Sequence, residues 1–434
     1  MLEAFKGHVK KSFPELLSER FLLACSGGLD SVVLAHCCTT MDMEFALAHC
    51  NFRLRGEESD GDERFVANLA KSLNKYLFIT HFDTIGYVNK NKVSVQMAAR
   101  ELRYTWFAEI MKQQGIDTLV TAHQADDNLE TFFINLSRGT GIDGLKGIPP
   151  KTDTVSRPLL AFSRAEILEY AKASRLEWRE DSSNRETYYL RNKIRHEIAP
   201  ILNELHPAFQ DNFDRTQAYL GDTALVLEAY NKKLRSELFQ SENGVVRIEI
   251  TDLQQLHPLK PHMHLLLKDF GFTAWNDIEG LLTATSGKEV RSKTHRLVKD
   301  RKQLLLEKLG YLDTRTYHIH ENQREMTHPF RLKIECSDEL GETAVNTLYV
   351  DKETLKYPLT VRKWQKGDYF HPLGMKGRKK LSKYFKDEKV DVISKDKQWL
   401  LCSDNQIVWV VGKRADERFK VRKDTRKIVK FELI

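Results

Sequence analysis

Six consecutive residues, Ser26-Gly27-Gly28-Leu29-Asp30-Ser31, stand between a short apolar run and an amphipathic one. Paired glycines let the backbone turn tightly and approach a ligand, and the free N–H groups at a helix start then point at an anion. Ser26 and Ser31 add hydroxyl donors. The string therefore reads as a phosphate cradle. Asp30 repels a phosphate unless a cation lies between them, so it is assigned to Mg2+. The loop itself follows neither the G-x-x-x-x-G-K-[ST] nor the G-x-G-x-x-G pattern. The alternative is a βα turn with an Asp or Ser cap and no ligand, which a lone Gly-Gly would favour and the whole six-residue string does not.

A second string, His123-Gln124-Ala125-Asp126-Asp127-Asn128-Leu129-Glu130-Thr131, occupies another strand-to-helix position. Aspartates near a helix start are favoured by the dipole, so capping explains part of it. Asp127 and Glu130 stand three apart on one helical face, close enough to hold a metal ion or an amine together. In Ala98-Ala99-Arg100-Glu101-Leu102-Arg103-Tyr104 the two arginines share a face, where a salt-bridged helix surface is an equal reading. His49-Cys50-Asn51-Phe52-Arg53-Leu54-Arg55-Gly56 is a polar loop after a strand, and a lone histidine in such a place is more often structural.

The elements that must position these strings alternate. Residues 21–25, 44–50, 76–82 and 118–122 read as strands, and 29–38, 62–73, 94–113 and 126–137 as helices. Repeated β-then-α units predict a parallel sheet with helices on both faces, whose ligands bind at the carboxyl ends of the strands. The loops after Cys25, Cys50, Phe82 and Ala122 should then meet at one cleft. Past Pro158 a further helix opens at Ser163, where Ser163 and Glu166 have capping-box spacing. This first domain is expected over 1–207, ending near His206 and Pro207. Residues 208–325 read as a mostly helical middle domain with a linker, and 326–434 as a small mixed, mostly β domain.

The chain has 434 residues, 41% hydrophobic and 30% charged, which excludes a small stapled scaffold, a disordered chain and a fibre. Its net charge of +7 is uneven, because 21 basic and 10 acidic side chains fall in 361–434 and leave the other 360 residues at −4. A basic end suits a phosphate-bearing macromolecule or a solvated surface. Lys376, Arg378, Lys379, Lys380 and Lys383, interleaved with Tyr384 and Phe385, are the candidates for nucleic-acid backbone contacts. Six cysteines, at 25, 37, 38, 50, 336 and 402, show no C-x-x-C spacing, which suggests a reducing compartment. With no signal-like start and no run of about 18 apolar residues, a cytoplasmic protein without a membrane anchor is expected.

S-G-G-x-D-S after a strand resembles the pyrophosphate loop of the N-type ATP pyrophosphatases, the PP-loop family with its adenine nucleotide alpha hydrolase-like fold. His123-x-x-Asp126-Asp127-x-x-Glu130-Thr131 and Ala99-Arg100-x-x-Arg103-Tyr104 are similar to motifs of the tRNA(Ile)-lysidine synthetase family. Asp181-x-Ser183-Asn184 and Arg191-Asn192-x-Ile194-Arg195 also fit that family. In the tail so do Gly367-Asp368-Tyr369-Phe370-x-Pro372-x-Gly374, Lys379-Lys380-Leu381 and Trp409-Val410-x-Gly412-x-Arg414. The likeness covers about 21–200 and 361–419. It departs at Cys50 and Phe52, where H-V-N-H-G-L-R is the usual wording, while His49 and Asn51 match.

That resemblance implies ATP-dependent ligation of free L-lysine to C2 of the wobble cytidine in isoleucine tRNA with a CAU anticodon. The reaction would pass through an adenylated cytidine, release pyrophosphate and AMP, and change codon recognition to AUA and identity from methionine to isoleucine. Its implied catalytic set is Asp30, Arg103, Asp127 and Glu130, with Asp30 on Mg2+ and Asp127 and Glu130 near the lysine. ATP contacts would come from Ser26 to Ser31, His49, Asn51, Arg100 and His123, and tRNA contacts from Arg191, Arg195 and the basic tail. A PP-loop tRNA thiolase would need paired cysteines, which are missing. A non-catalytic tRNA-binding protein would not split ATP to AMP when tRNA is added. Monomer and homodimer are both left open.

Overall fold

The computed structural model describes residues 1–180, 190–206, 208–310, 313–337, 339–341 and 344–434. Asp181, Ser183, Asn184 and Pro207, singled out above, lie outside the described residues. Two compact units are present, Met1–Glu228 and Ala229–Ile434.

In the first unit, five strands form one sheet: β1 (Phe21–Ala24), β2 (Phe45–Asn51), β3 (Leu77–His81), β4 (Leu119–Val120) and β5 (Val155–Ser156). Their order is β3-β2-β1-β4-β5 and every pairing is parallel. The helices are α1 (Leu2–Ser12), α2 (Leu29–Thr40), α3 (Glu57–Ser72), α4 (Thr84–Asn91), α5 (Val95–Gln114), α6 (Ala125–Ser137), α7 (Ile142–Leu145) and α8 (Arg164–Ala173). Alternate residues of β1 serve opposite faces, as the pleat requires. Phe21 and Leu23 join Val33 of α2, Val66 of α3 and Ile167 of α8, whereas Leu22 joins Phe107 and Ile110 of α5. With both faces covered, the strands can be continuous apolar runs, which is why they were legible. The strand order reverses between β1 and β4, and in open parallel sheets the crevice at such a point is where ligands bind.

Local chemistry fixes the helix ends. Ser94 caps α5 by accepting from the Met97 N–H, and Gly115 closes it in a left-handed conformation at φ 63°. Ser163 and Glu166 form the expected capping box of α8. α3 begins at Glu57, five residues before the expected start, because its polar first turn carries no apolar periodicity. β4 has two residues where five were expected, and α1, α4 and β5 were not anticipated. After the undescribed stretch come α9 (Leu190–Lys193), a π-helical turn over Ile194–Ile198, α10 (Ala199–Leu205) and α11 (Phe209–Leu238).

In the second unit the middle region has helices, as expected, and also an antiparallel sheet that the sequence reading left out. Its strands are Gln240–Glu242, Val245–Glu249, Gln303–Lys308, His295–Asp300 and Glu289–Arg291, in that spatial order. Leu304 and Leu306 pack with the helices Leu259–Leu267 and Trp275–Gly280, while Leu305 turns the other way to meet Val298 and Ile393. Ion pairs line that second face. Arg296, 5% exposed, donates to Glu307 and Asp396, both at 2.9 Å. Lys397 also pairs with Glu307, and Arg247 with Asp391 at 3.0 Å. The terminal region is mostly β, as expected, built on a five-stranded and a four-stranded antiparallel sheet. Among the described residues no helix is long and apolar enough to cross a membrane.

Candidate active site

The Ser26–Ser31 string turns from β1 into α2. Gly27 has φ 86°, and a Cβ there would lie 3.2 Å from the Val66 methyl and 3.3 Å from the Phe65 ring, so both conformation and space call for glycine. Gly28 is the extended N-cap of α2, and its N–H donates to Ser26 Oγ at 3.3 Å. Ser31, buried, donates its hydroxyl to the Gly28 carbonyl at 3.0 Å and stands 3.3 Å from Ser26 Oγ. The two serines therefore brace the loop from within. Leu29 is buried in the core, so it can meet a ligand through its backbone alone. Outside the loop, the Arg179 N–H donates to the Gly27 carbonyl at 2.9 Å. The Arg179 guanidinium is anchored on Asp62 of α3 at 3.0 Å, where Arg55 also pairs at 2.8 Å.

Asp30 is the second residue of α2. Its Oδ1 is buried without a hydrogen-bond partner, and its Oδ2 lies 3.7 Å from Nη1 of Arg164. Burial pushes the Asp30 carboxyl up to about 6, with Arg164 opposing the shift and the charge of Asp127 adding to it. The fields of Asp126, Asp127 and Arg195 all reach Asp30, so the starts of α2 and α6 share one site at the carboxyl ends of β1 and β4.

At the start of α6, Gln124 is the N-cap: its side-chain oxygen accepts from the Asp126 N–H at 2.8 Å, and Asp127 Oδ2 accepts from the Gln124 N–H at 3.0 Å. Capping thus uses one oxygen of Asp127, and the other, Oδ1, faces Nη2 of Arg195 at 3.9 Å. Asp126 instead accepts from the backbone N–H of Arg164 at 3.2 Å, which ties α8 to α6. Glu130, 1% exposed, pairs with Nε of Arg195 at 2.6 Å and Nε of Arg191 at 3.0 Å. Burial raises its carboxyl above the ordinary value in spite of both arginines. Arg191 and Arg195, expected as tRNA contacts, are turned onto these carboxylates. Arg195 sits in the π-helical turn, a form of helix frequent at functional sites.

Burial disfavours the charged form of both site histidines, His123 and His49. Burial pulls His123 down to about 4, and its Nδ1 lies 2.9 Å from Thr121 Oγ1. His49 is buried with its pKa lowered by that burial, and its Nδ1 donates to the Cys25 carbonyl at 2.9 Å. Asn51 donates to Asp60 at 3.0 Å and Glu63 at 2.8 Å and accepts from the Arg53 N–H, so it braces the β2 loop on α3. Those partners take up the amide expected to meet ATP. Arg100 lies over the Tyr104 ring at 4.8 Å and Arg103 over Phe52 at 5.2 Å, with Phe52 stacked on Phe82. The departure at Phe52 thus supplies a platform for an arginine.

In the basic tail, Lys376, Arg378, Lys380 and Lys383 are exposed. Lys379 is held by Asp387 at 2.7 Å, and Tyr384 and Phe385 are buried with Phe370, so the aromatics belong to a core rather than to a stacking surface. Sequence reasoning missed Arg157, Arg164 and Arg179. Arg157 is 7% exposed, with Nη1 on the Pro149 carbonyl and Nε unpartnered. Arg164 did carry a signal: it is the first residue of a helix, where the dipole disfavours a cation.

Comparison with known proteins adds three matched regions. Residues 1–202 match the model of a PP-loop domain, 240–309 the TilS substrate binding domain, and 359–431 the TilS substrate C-terminal domain. Along its length the chain is 38% identical over 437 residues to the tRNA(Ile)-lysidine synthase of Parabacteroides distasonis, covering 99% of each. It is 36% identical over 438 residues to that of Bacteroides thetaiotaomicron, covering 98% of each. For Porphyromonas gingivalis W83 the identity is 36% over 427 residues, covering 92% of this chain and 91% of the relative.

Proposed function

This chain belongs to the tRNA(Ile)-lysidine synthase family, and on that premise we propose how its own residues divide the work of an ATP-dependent ligase. The division is into a catalytic domain over 1–207, a middle domain over 208–325 and a tRNA-binding domain over 326–434, in the cytoplasm. What carries it is the convergence of Asp30, Asp127 and Glu130 around Arg195 at the carboxyl ends of β1 and β4.

The C2 carbonyl of cytosine is a poor electrophile, and lysine cannot expel its oxygen directly. When the cytidine O2 attacks the α-phosphorus of ATP, the bond to the β-phosphate oxygen breaks and pyrophosphate leaves. The lysine ε-amine then attacks C2, and AMP departs with the original oxygen. The N–H groups of the first turn of α2, Leu29 to Ser31, hold the departing pyrophosphate and offset its charge. Mg2+ fits the orphaned Oδ1 of Asp30, which would be a ligand to the ion there. Bound there, the ion would neutralise phosphate charge. Arg103, with Arg100, adds cationic charge from α5.

Asp127 Oδ1, left over from capping, is the oxygen suited to the lysine ammonium and to accepting its proton before attack. Glu130 holds Arg191 and Arg195 in place behind it. His123, neutral, can offer a hydrogen bond to the nucleotide without adding charge. The thiolase alternative loses ground, because burial lifts Cys50, the cysteine after β2, to about 12 and keeps it from forming a thiolate.

Radiolabelled lysine, ATP and Mg2+ should label an isoleucine tRNA with a CAU anticodon and leave a transcript with uridine at the wobble position unlabelled. AMP release with no label on either transcript would mean that lysine is the wrong nucleophile. The exposed tail residues make a separate expectation. Replacing Lys376, Arg378 and Lys380 with glutamine should weaken tRNA binding and flatten its salt dependence by roughly one unit of log–log slope per side chain. Lys379→Gln, whose charge is already held by Asp387, should change that slope least. Filter binding from low to moderate salt reads both, and an unchanged slope in the triple variant would return the patch to plain solvation.

A further inference from the structure

Arg164 has no role in the division of work above, yet its position is unusual on three counts. It is the first residue of α8, where the helix dipole opposes a cation. Its backbone N–H is fixed by Asp126 Oδ1 at 3.2 Å, so the start of α8 is pinned to the start of α6. Its guanidinium extends to Asp30 at 3.7 Å, with the side chain 43% exposed. At that separation the contact is an ion pair without a hydrogen bond, and the donors on the guanidinium edge are left to other acceptors. The cradle has no lysine of the Walker kind, and the other arginine beside it, Arg179, is tied by its guanidinium to Asp62. Among the described residues, Arg164 is therefore the cation that both touches the signature aspartate and keeps its donors accessible.

We propose that Arg164 is a ligand of the β- and γ-phosphates of ATP, pairing with Asp30 until the nucleotide arrives and then binding the pyrophosphate that leaves. This rests on the reading of the Ser26–Ser31 loop as a pyrophosphate cradle. A planar guanidinium suits the task, since it can donate two parallel hydrogen bonds to a phosphate. When the bond between the α-phosphorus and its bridging oxygen breaks, the electron pair stays on the pyrophosphate, and Arg164 faces the growing charge with N–H donors and transfers no proton. A cation tethered at Asp30 also brings its charge to the phosphates without first being drawn from solvent.

Equilibrium binding of ATP, AMP and inorganic pyrophosphate to the full chain separates the possibilities, with wild type, Arg164→Gln and Arg164→Lys compared in EDTA and in Mg2+. Arg164→Gln is expected to weaken ATP and pyrophosphate by about tenfold or more and AMP by less than about twofold, with Arg164→Lys recovering part of the loss. Equal weakening of ATP and AMP, or undiminished ATP binding, would overturn the proposal and leave Arg164 as a counter-ion of Asp30, visible in the thermal midpoint alone. If the wild-type protein holds ATP no better than AMP and takes no pyrophosphate, the cradle reading itself fails, and Arg164 falls with it.

Discussion

Asp30→Ala is expected to lower turnover by about a thousandfold while changing tRNA affinity by less than twofold. The carboxylate stands at the mouth of the cradle with an unpartnered oxygen, whereas the exposed basic side chains of the tail lie in the other compact unit. Single-turnover ATP cleavage and tRNA filter binding on the same preparation give the two readings, and retained turnover would remove the metal assignment. Asp30→Asn should also make the empty protein more stable. With a folded pKa of about 6 against 3.8 when unfolded, the folded state binds the extra proton, so this residue costs nothing below about pH 4 and its full amount above pH 6. That amount is at most about 3 kcal/mol. Thermal midpoints of wild type and variant should coincide near pH 4 and separate in favour of the variant by pH 7.5. A variant less stable than wild type at pH 7.5 would contradict the buried-charge account.

Glu130→Gln is the second large effect, and it should fall on lysine rather than on ATP. The carboxylate is enclosed, pairs with Arg191 and Arg195, and stands one helical turn from Asp127. Removing its charge frees both guanidinium groups to capture Asp127 Oδ1, the oxygen offered to the lysine ammonium. The KM for lysine should rise by about thirtyfold or more, with tRNA-dependent pyrophosphate release largely kept. Because burial holds the Glu130 pKa above the ordinary value, its ionised form is a net cost to the fold at neutral pH, and that cost fades as pH falls through the raised pKa. Because Glu130 also anchors Arg191 and Arg195, the thermal midpoint of the glutamine variant is read beside the kinetics, and lost ligation at an unchanged midpoint reads on chemistry. Loss of pyrophosphate release together with lysine use would assign Glu130 to the adenylation step instead.

These two sites were legible to different depths. The loop and its aspartate were readable because glycines, serines and Asp30 are contiguous, and because β1 to β3 are apolar runs that a doubly covered sheet requires. The pairing of Glu130 with Arg191 and Arg195 was not, since it joins residues more than sixty positions apart and nothing in the spacing of either motif says which way an arginine turns. Tyr384 was harder to read for a related reason: aromaticity marks a residue as useful, but burial decides whether it serves a ligand or the fold. The middle sheet escaped because its edge strands are three residues long and its core strand Gln303–Lys308 runs apolar on both faces, without alternation.

The ion pairs of Arg296, Lys397 and Arg247 bear on how such a protein can be recombined. Two regions that match separate family models, 240–309 and 359–431, are stitched through charges that are complementary only as a set: Arg247, Arg296 and Glu307 on one side, Asp391, Asp396 and Lys397 on the other. A chimera that takes the terminal region from a relative with other residues at those positions would strand the 5%-exposed Arg296 with half its partners. An uncompensated charge in such surroundings costs several kcal/mol. The two regions are therefore expected to travel as one cassette, with grafting points outside 240–431 rather than between them.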